Sequence, residues 1–411
     1  MWLAPAQPGI EVRRPSLLRR YQGKVLSLLG RFTHINLRYR PLGVVQVRDK
    51  DSSLEFIEIN PPYVSRLCLD EAFLRDCTEV LRPNLTVQYP GDFLVVLEKG
   101  RMFTPHDAHI AFMTKESMLV EEVSFQWERG RALLPANENV AFSTKIFVRP
   151  KKYRGTVFSL LSGGGAKHYY YHWLFDSLPK FDLLRKSGLA REIDYFLVPS
   201  VAHKYQVEYL KKFGIRDEQI IDSTKVPHLI ADRLVVASYT RLREHLPRWV
   251  CTYLHEIMVD KNQHRDRNKL IYIARGDAQR NRKVINEDCL IRELRELGFE
   301  TYYLTRYSIY EQAELFNSAK MVVGSHGGGL SNLVFCEPGT PVVEFFPDNY
   351  VNHLFYDVCL KCDLPYHYLV CPSEKGSKDE LMAETNLVAD VPAIVNRVRI
   401  VLETAGLAKQ T

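Results

Sequence analysis

The chain has 411 residues, 46% apolar and 25% charged, room for two to three cores at about 150 residues each and a composition ordinary for a globular protein. No apolar run reaches the roughly 18–20 residues of a membrane-spanning helix, and a net charge of +6 does not by itself imply nucleic acid. Eight scattered cysteines suit reduced thiols better than a disulfide framework, and Met1–Ile10 lacks the order of a secretion signal, so a cytoplasmic location is expected.

Residues 11–40 carry Arg13, Arg14, Arg19, Arg20, Lys24, Arg31, Arg38 and Arg40 against one acid, with Leu17, Leu18, Tyr21, Val25, Leu28 and Leu29 at helical spacing. A basic amphipathic helix follows, for which docking on its own domain is favoured over peripheral contact with an anionic membrane. Residues 41–150 read as short strands between Pro, Asp and Gly turns, including Gly43 to Val47, Phe93 to Glu98 and Ser117 to Phe125. From Thr156 strands and helices alternate, which predicts a parallel α/β arrangement.

The first chemical cluster lies there, in Tyr169-Tyr170-Tyr171-His172-Trp173-Leu174-Phe175-Asp176. On a helix His172 and Asp176 share one face, so one can deprotonate a hydroxyl while the other orients it, and the aromatics offer surfaces for sugar rings. A buried aromatic helix with a paired histidine is the plain alternative. A charged stretch, His264 to Asn268, suggests a domain boundary.

Beyond it the pattern is clearer. Lys269 to Ala274 is a strand, Asn286 is placed to cap a helix with Leu290, Ile291, Leu294 and Leu297 on its buried face, and Ser308-x-x-Glu311 is a capping box. The cations Arg275, Arg280, Arg282 and Lys283 crowd the loop after that strand, where anions bind at the carboxyl edge of open sheets. The strand Met321 to Gly324 then breaks into Ser325-His326-Gly327-Gly328-Gly329 with Asn332 following, a turn that lets backbone approach a phosphate and aims a helix N-terminus at it. Glu344 ends the next apolar run, where an acid can accept hydrogen bonds from ribose hydroxyls. The spacing matches neither the dinucleotide fingerprint nor the P-loop. Cys359-x-x-Cys362 with His367 and Cys371 lacks a second pair and reads as filler rather than a zinc set. Asp390 and Pro392 open a last helix striped by Ile394, Val395 and Val398.

These motifs together resemble glycosyltransferase family 61, which holds bacterial capsular-polysaccharide transferases, plant xylosyl- and arabinosyltransferases and an EGF-domain O-GlcNAc transferase. Tyr170 to Pro179 is similar to its aromatic H-W-x-x-D segment, Arg275 through Asn286-Glu287 to its arginine-rich block ending in N-E, and Gly324 to Asn332 with Pro338-Gly339 and Glu344 to its closing block. Ala274 stands where the family usually has Ser, and Gly328 where it has Ala. The resemblance implies a GT-B arrangement of two facing Rossmann-like domains with a β-rich N-terminal part. It also implies an inverting displacement, a nucleotide-sugar donor, a glycan acceptor and no obligatory metal; no cofactor and no nucleic-acid partner are expected.

The expected organisation is 1–150 as basic segment and β-rich part, 151–263 as the rest of the acceptor-side domain, 264–385 as the nucleotide-sugar domain and 386–411 as a helix packing back. His172 and Asp176 are the expected catalytic pair. Arg275, Arg280, Arg282, Lys283, Asn286, Ser325, His326, Gly327, Gly328, Gly329, Asn332 and Glu344 are the expected donor-binding set. A catalytically silent glycan-binding scaffold, or a nucleotide-sugar epimerase, are the competing readings. The first would bind glycan without transfer or hydrolysis, and the second would form product without acceptor.

Overall fold

The structure, a computed structural model, describes residues 37–49, 54–106, 109–128, 132–163, 165–242, 245–260, 266–276, 282–374 and 385–407. Most of the basic 11–40 segment and Arg280 lie outside the described residues. The chain forms two compact units: residues 1–63 with 89–243, and residues 64–88 with 244–411. The boundary near 264–268 expected from charge is thus not where the chain divides. Helix Arg248–Met258 goes with the second unit, burying Val250, Cys251 and Leu254.

The first unit is built on one mixed sheet. Strand His228–Ala237 pairs in parallel with Lys151–Ser159, which pairs with Tyr195–Val198, which pairs with Ile220–Asp222. On its other side His228–Ala237 runs antiparallel to Asp92–Glu98 and Arg101–His106. The β-rich N-terminal part and the parallel part are therefore halves of a single sheet. Phe93, Leu94, Val95, Val96 and Leu97 are all buried, as an uninterrupted apolar run requires when both faces of a strand are covered.

The second unit carries a five-stranded, all-parallel sheet in the spatial order Glu300–Tyr302, Lys269–Ile273, Ala319–Ser325, Val342–Pro347, Tyr366–Cys371. One face is covered by helices Glu287–Glu296 and Val391–Thr404, through Leu290, Leu294, Ile394, Val398, Val401 and Leu402 packed on Tyr272, Met321, Val323, Val343 and Phe345. The last helix thus joins this unit's own core. Ser308 and Glu311 close the expected capping box on helix Ile309–Asn317, and Asp390 caps the last helix by accepting from the Ala393 N–H at 3.0 Å. Asn286 does not cap as expected: its amide donates to the Ala389 carbonyl and accepts from the Ala389 N–H, tying the loop to the chain's end.

The excursion 64–88 contributes helix Glu71–Asp76 to the second unit. Phe73 packs edge-on against Phe346, Tyr356, Tyr366 and Tyr368, while Asp70 and Asp76 accept from the hydroxyls of Tyr356 and Tyr368, each at 2.9 Å. No described helix is long and apolar enough to cross a membrane.

Candidate functional site

In the second unit, strand Lys269–Ile273 has Glu300–Tyr302, its successor in the chain, on one side and Ala319–Ser325 on the other. The order reverses between those two neighbours, and the loops leaving the carboxyl ends of Lys269–Ile273 and Ala319–Ser325 border the crevice that such a switch point opens. One loop begins with Arg275, the other is His326-Gly327-Gly328-Gly329. The sheet brings them together: a Cβ on Gly327 would lie 2.2 Å from Arg275 Nη1.

That close approach is why Gly327 is glycine. Its φ of 169° is extended backbone open to any residue, so space rather than backbone conformation demands glycine here. Gly329 backs onto Leu304 and Ile273, whereas a Cβ on Gly328 would meet nothing within 4 Å. Gly328–Phe335 then winds as a 3-10 helix, whose first N–H groups have no partner within the helix.

Arg275 is fixed at its backbone. Its N–H donates to Glu287 Oε1 at 2.7 Å, and the same oxygen accepts from the Tyr272 hydroxyl at 2.9 Å. Arg275 Nε also donates to the Arg282 carbonyl at 3.3 Å. Arg282 is held at φ 76°, a left-handed conformation uncommon for a side-chain-bearing residue, with its guanidinium 5.5 Å from the Tyr350 ring centre. Lys283 is exposed, and its N–H donates to Asn386 Oδ1.

His326, Asn332 and Glu344 are each engaged by hydrogen bonds within the protein. Leu354 N–H donates to Asn352 Oδ1 at 3.2 Å, which turns the Asn352 amide nitrogen toward His326 Nε2 at 3.0 Å. The proton of His326 therefore sits on Nδ1 and is donated to Glu344 Oε1 at 2.6 Å, while the Tyr366 hydroxyl donates to Glu344 Oε2 at 2.6 Å. Both nitrogens of His326 and both oxygens of Glu344 are occupied. Glu344 is 0% exposed, and burial pushes its carboxyl up to about 8 against the pull of the Tyr366 hydrogen bond. Burial, then the charges of Arg282 and Arg275, hold the His326 imidazole well below its usual range, so it is neutral at pH 7. Positive charge here comes from the arginines. Asn332 spends its amide on Gln312 and Gly329, and Ser325 Oγ is buried with no hydrogen-bond partner among the described residues.

In the first unit, the aromatic segment leaves the carboxyl end of strand Lys151–Ser159. It is a short α turn, Tyr170–His172, followed by a π-helical turn, Trp173–Ser177, an irregularity frequent at functional sites. Its seat is polar: Ser177 Oγ donates to the Leu160 carbonyl at 3.0 Å, Thr240 Oγ1 to Phe175 at 2.7 Å, and the buried Lys180 ammonium to the Leu161 and Ala237 carbonyls. Burial brings Lys180 down to about 7, with Asp176 pulling the other way.

His172 Nδ1 lies 2.7 Å from Asp176 Oδ2, as the four-residue spacing predicts. The sequence did not reveal Arg241, whose guanidinium grips both oxygens of Asp176 and lies 5.3 Å from the Tyr171 ring centre. Burial pulls the Asp176 carboxyl up, but Arg241 and the His172 hydrogen bond outweigh it and bring it down to about 2. The His172 side chain is 32% exposed against 9% for Asp176, so the imidazole is the member of the pair that reaches solvent. Gly165 makes room for it, since a Cβ there would lie 2.4 Å from His172 Cδ2 and 2.6 Å from Tyr169 Cδ2. The cysteine set has no metal-site geometry among the described residues; Cys359 and Cys371 are buried free thiols.

An open parallel sheet with fixed cations at its switch point is the architecture of α/β units that bind anionic nucleotides. The family profile described as Glycosyltransferase 61 matches residues 170–343, a stretch that takes in the His172–Asp176 pair, Arg275 and the glycine turn. A xylan glycosyltransferase of Arabidopsis thaliana is 23% identical over 124 residues, spanning 28% of this chain and 25% of that relative.

Proposed function

We propose that this chain is an inverting glycosyltransferase of glycan biosynthesis, with a GT-B-type division of labour: donor held by the second unit, acceptor activated by the first. The juxtaposition of Arg275, Arg282 and the Gly327 turn at the switch point carries the reading. Guanidiniums placed there neutralise a diphosphate as it leaves, stabilising charge that develops when the glycosidic bond to the donor breaks. The segment match and the xylan glycosyltransferase relative support the reaction class. No divalent ion is required in this scheme, since the cations supply the countercharge.

In the transfer step, an acceptor hydroxyl oxygen attacks the anomeric carbon while the bond to the diphosphate oxygen breaks. The hydroxyl proton passes to His172 Nε2. A carboxylate held at about 2 is too weak a base for that role; Asp176 instead holds the Nδ1–H and offsets the charge of the imidazolium that forms. Arg241 keeps Asp176 ionised and in place.

The test is a thermal-shift panel of nucleoside diphosphates. A cognate nucleotide at 100 times its Kd should stabilise the protein by about 2.7 kcal/mol, and Arg275→Ala should weaken that binding by about 1.5–3 kcal/mol. A panel with no response, or a response indifferent to Arg275, would sink the assignment.

A further inference from the structure

Between Glu138 and Asp176 the sequence contains no acid, yet it contains Lys145, Arg149, Lys151, Lys152 and Arg154. All five are exposed, and none takes part in an ion pair among the described residues. Interleaved with them are Ile146 and Val148, which are 67% and 60% exposed, among the most exposed large apolar side chains in the structure. The residue between them, Phe147, turns inward and packs on Tyr39, Phe103 and His228. The extended chain thus presents its two β-branched side chains outward beside the cations. Asp194 and Asp232 lie beside Gly155, beyond the far end of the strip.

A further cation stands beside the strip, because Arg40 Nη2 donates to the Thr144 carbonyl at 3.2 Å and Tyr39 packs on Phe147. Cations alone would suit any polyanion, but solvent-exposed isoleucine and valine among them gain only where the partner also offers hydrocarbon.

We infer that Lys145 to Lys152 is a docking strip for an anionic lipid bilayer, the apolar pair entering the headgroup boundary and the cations meeting lipid phosphates. The strip sits at the amino end of strand Lys151–Ser159, whose other end leads to His172. Nine strand residues at about 3.3 Å each put roughly 30 Å between the two ends of that strand.

The experiment is vesicle co-sedimentation of the full chain, on phosphatidylcholine alone and on phosphatidylcholine mixed with phosphatidylglycerol. Binding is expected only to the anionic mixture and should weaken with salt. The combined variant Lys145→Gln, Arg149→Gln, Lys151→Gln, Lys152→Gln should lower the partition coefficient by about 100-fold or more, with segment 11–40 and the melting temperature unchanged. Ile146→Ser with Val148→Ser should lower it further while leaving retention on heparin intact. The single exchanges, each expected to cost roughly fivefold, answer the question if the combined variant fails to fold. The inference is overturned if wild type ignores anionic vesicles, if the charge variant binds as wild type does, or if the apolar pair is without effect.

Discussion

Gly327 and Gly328 are adjacent glycines with opposite surroundings, which makes a controlled experiment possible. In Gly327→Ala the new Cβ would stand 2.2 Å from Arg275 Nη1 and 2.9 Å from its Cζ, where ordinary contact begins at 3.4 Å, so the guanidinium must retreat by more than an ångström. The obstructed atom is the end of a flexible side chain and the backbone at φ 169° accepts alanine, so folding should change by less than about 1 kcal/mol. Diphosphate binding should not escape. If Arg275 supplies a charged hydrogen bond, Gly327→Ala should cost about 1.5–3 kcal/mol of affinity, nearly as much as Arg275→Ala. Calorimetric titration with the nucleoside diphosphate that gives the strongest thermal shift measures this. Because both changes remove the same contact, the double variant should bind no worse than Arg275→Ala alone. Gly328→Ala, whose Cβ meets open space, should bind as wild type. Additive losses in the double variant, or equal losses at Gly327 and Gly328, would refute the reasoning.

Asp176→Asn should abolish transfer. Because it strands the partly buried Arg241, it should also lower the melting temperature by roughly 6–12 °C, the effect of breaking a buried pair, as a differential scan would reveal; unchanged melting would mean that the pair is not formed. Since Asp176 is lowered from 3.8 to about 2 on folding, its contribution is complete above pH 3.8 and lost as pH falls through about 2. It amounts to about 2 kcal/mol, so the acid limb of the stability profile should be flatter in the variant. Glu344 has the opposite sign: raised from 4.5 to about 8, it contributes fully below pH 4.5 and loses that contribution as pH rises through about 8. Melting scans across that interval should fall for wild type and stay level for Glu344→Gln. Arg282→Gly relieves a left-handed residue while deleting a cation, so it should weaken nucleotide binding by about 1.5–3 kcal/mol without loss of thermal stability; a destabilised variant with intact binding would reverse that assignment.

What the sequence could show was local. The capping box at Ser308, the buried face of Leu290 and Leu294, the strand feeding the glycine turn and the Asp390 cap each depend on neighbours within a few positions. The His172–Asp176 contact was legible for the same reason. Arg241 was not, because nothing near position 241 marks a partner 65 residues away. Nor could the position at the strand end reveal that Glu344 accepts from His326 and Tyr366, since that depends on which side chains arrive beside Asn352 and from the neighbouring strand. Glu287 carried a signal in its motif, but its grip on the Arg275 backbone appears only once the helix is docked.

The assignment of residues 64–88 to the second unit has a consequence for how the polypeptide is made and cut. During synthesis, helix Glu71–Asp76 emerges well before strands Val342–Pro347 and Tyr366–Cys371, so Phe73 must wait, without its aromatic neighbours, until those strands have been translated. A fragment begun at residue 244 would keep the parallel sheet yet leave Phe346, Tyr356, Tyr366 and Tyr368 without their central ring, and His245 without Ser65 and the Asn84 carbonyl. Expression of the second unit alone therefore calls for residues 64–88 to be supplied as well, grafted through a short linker or co-expressed as a separate peptide.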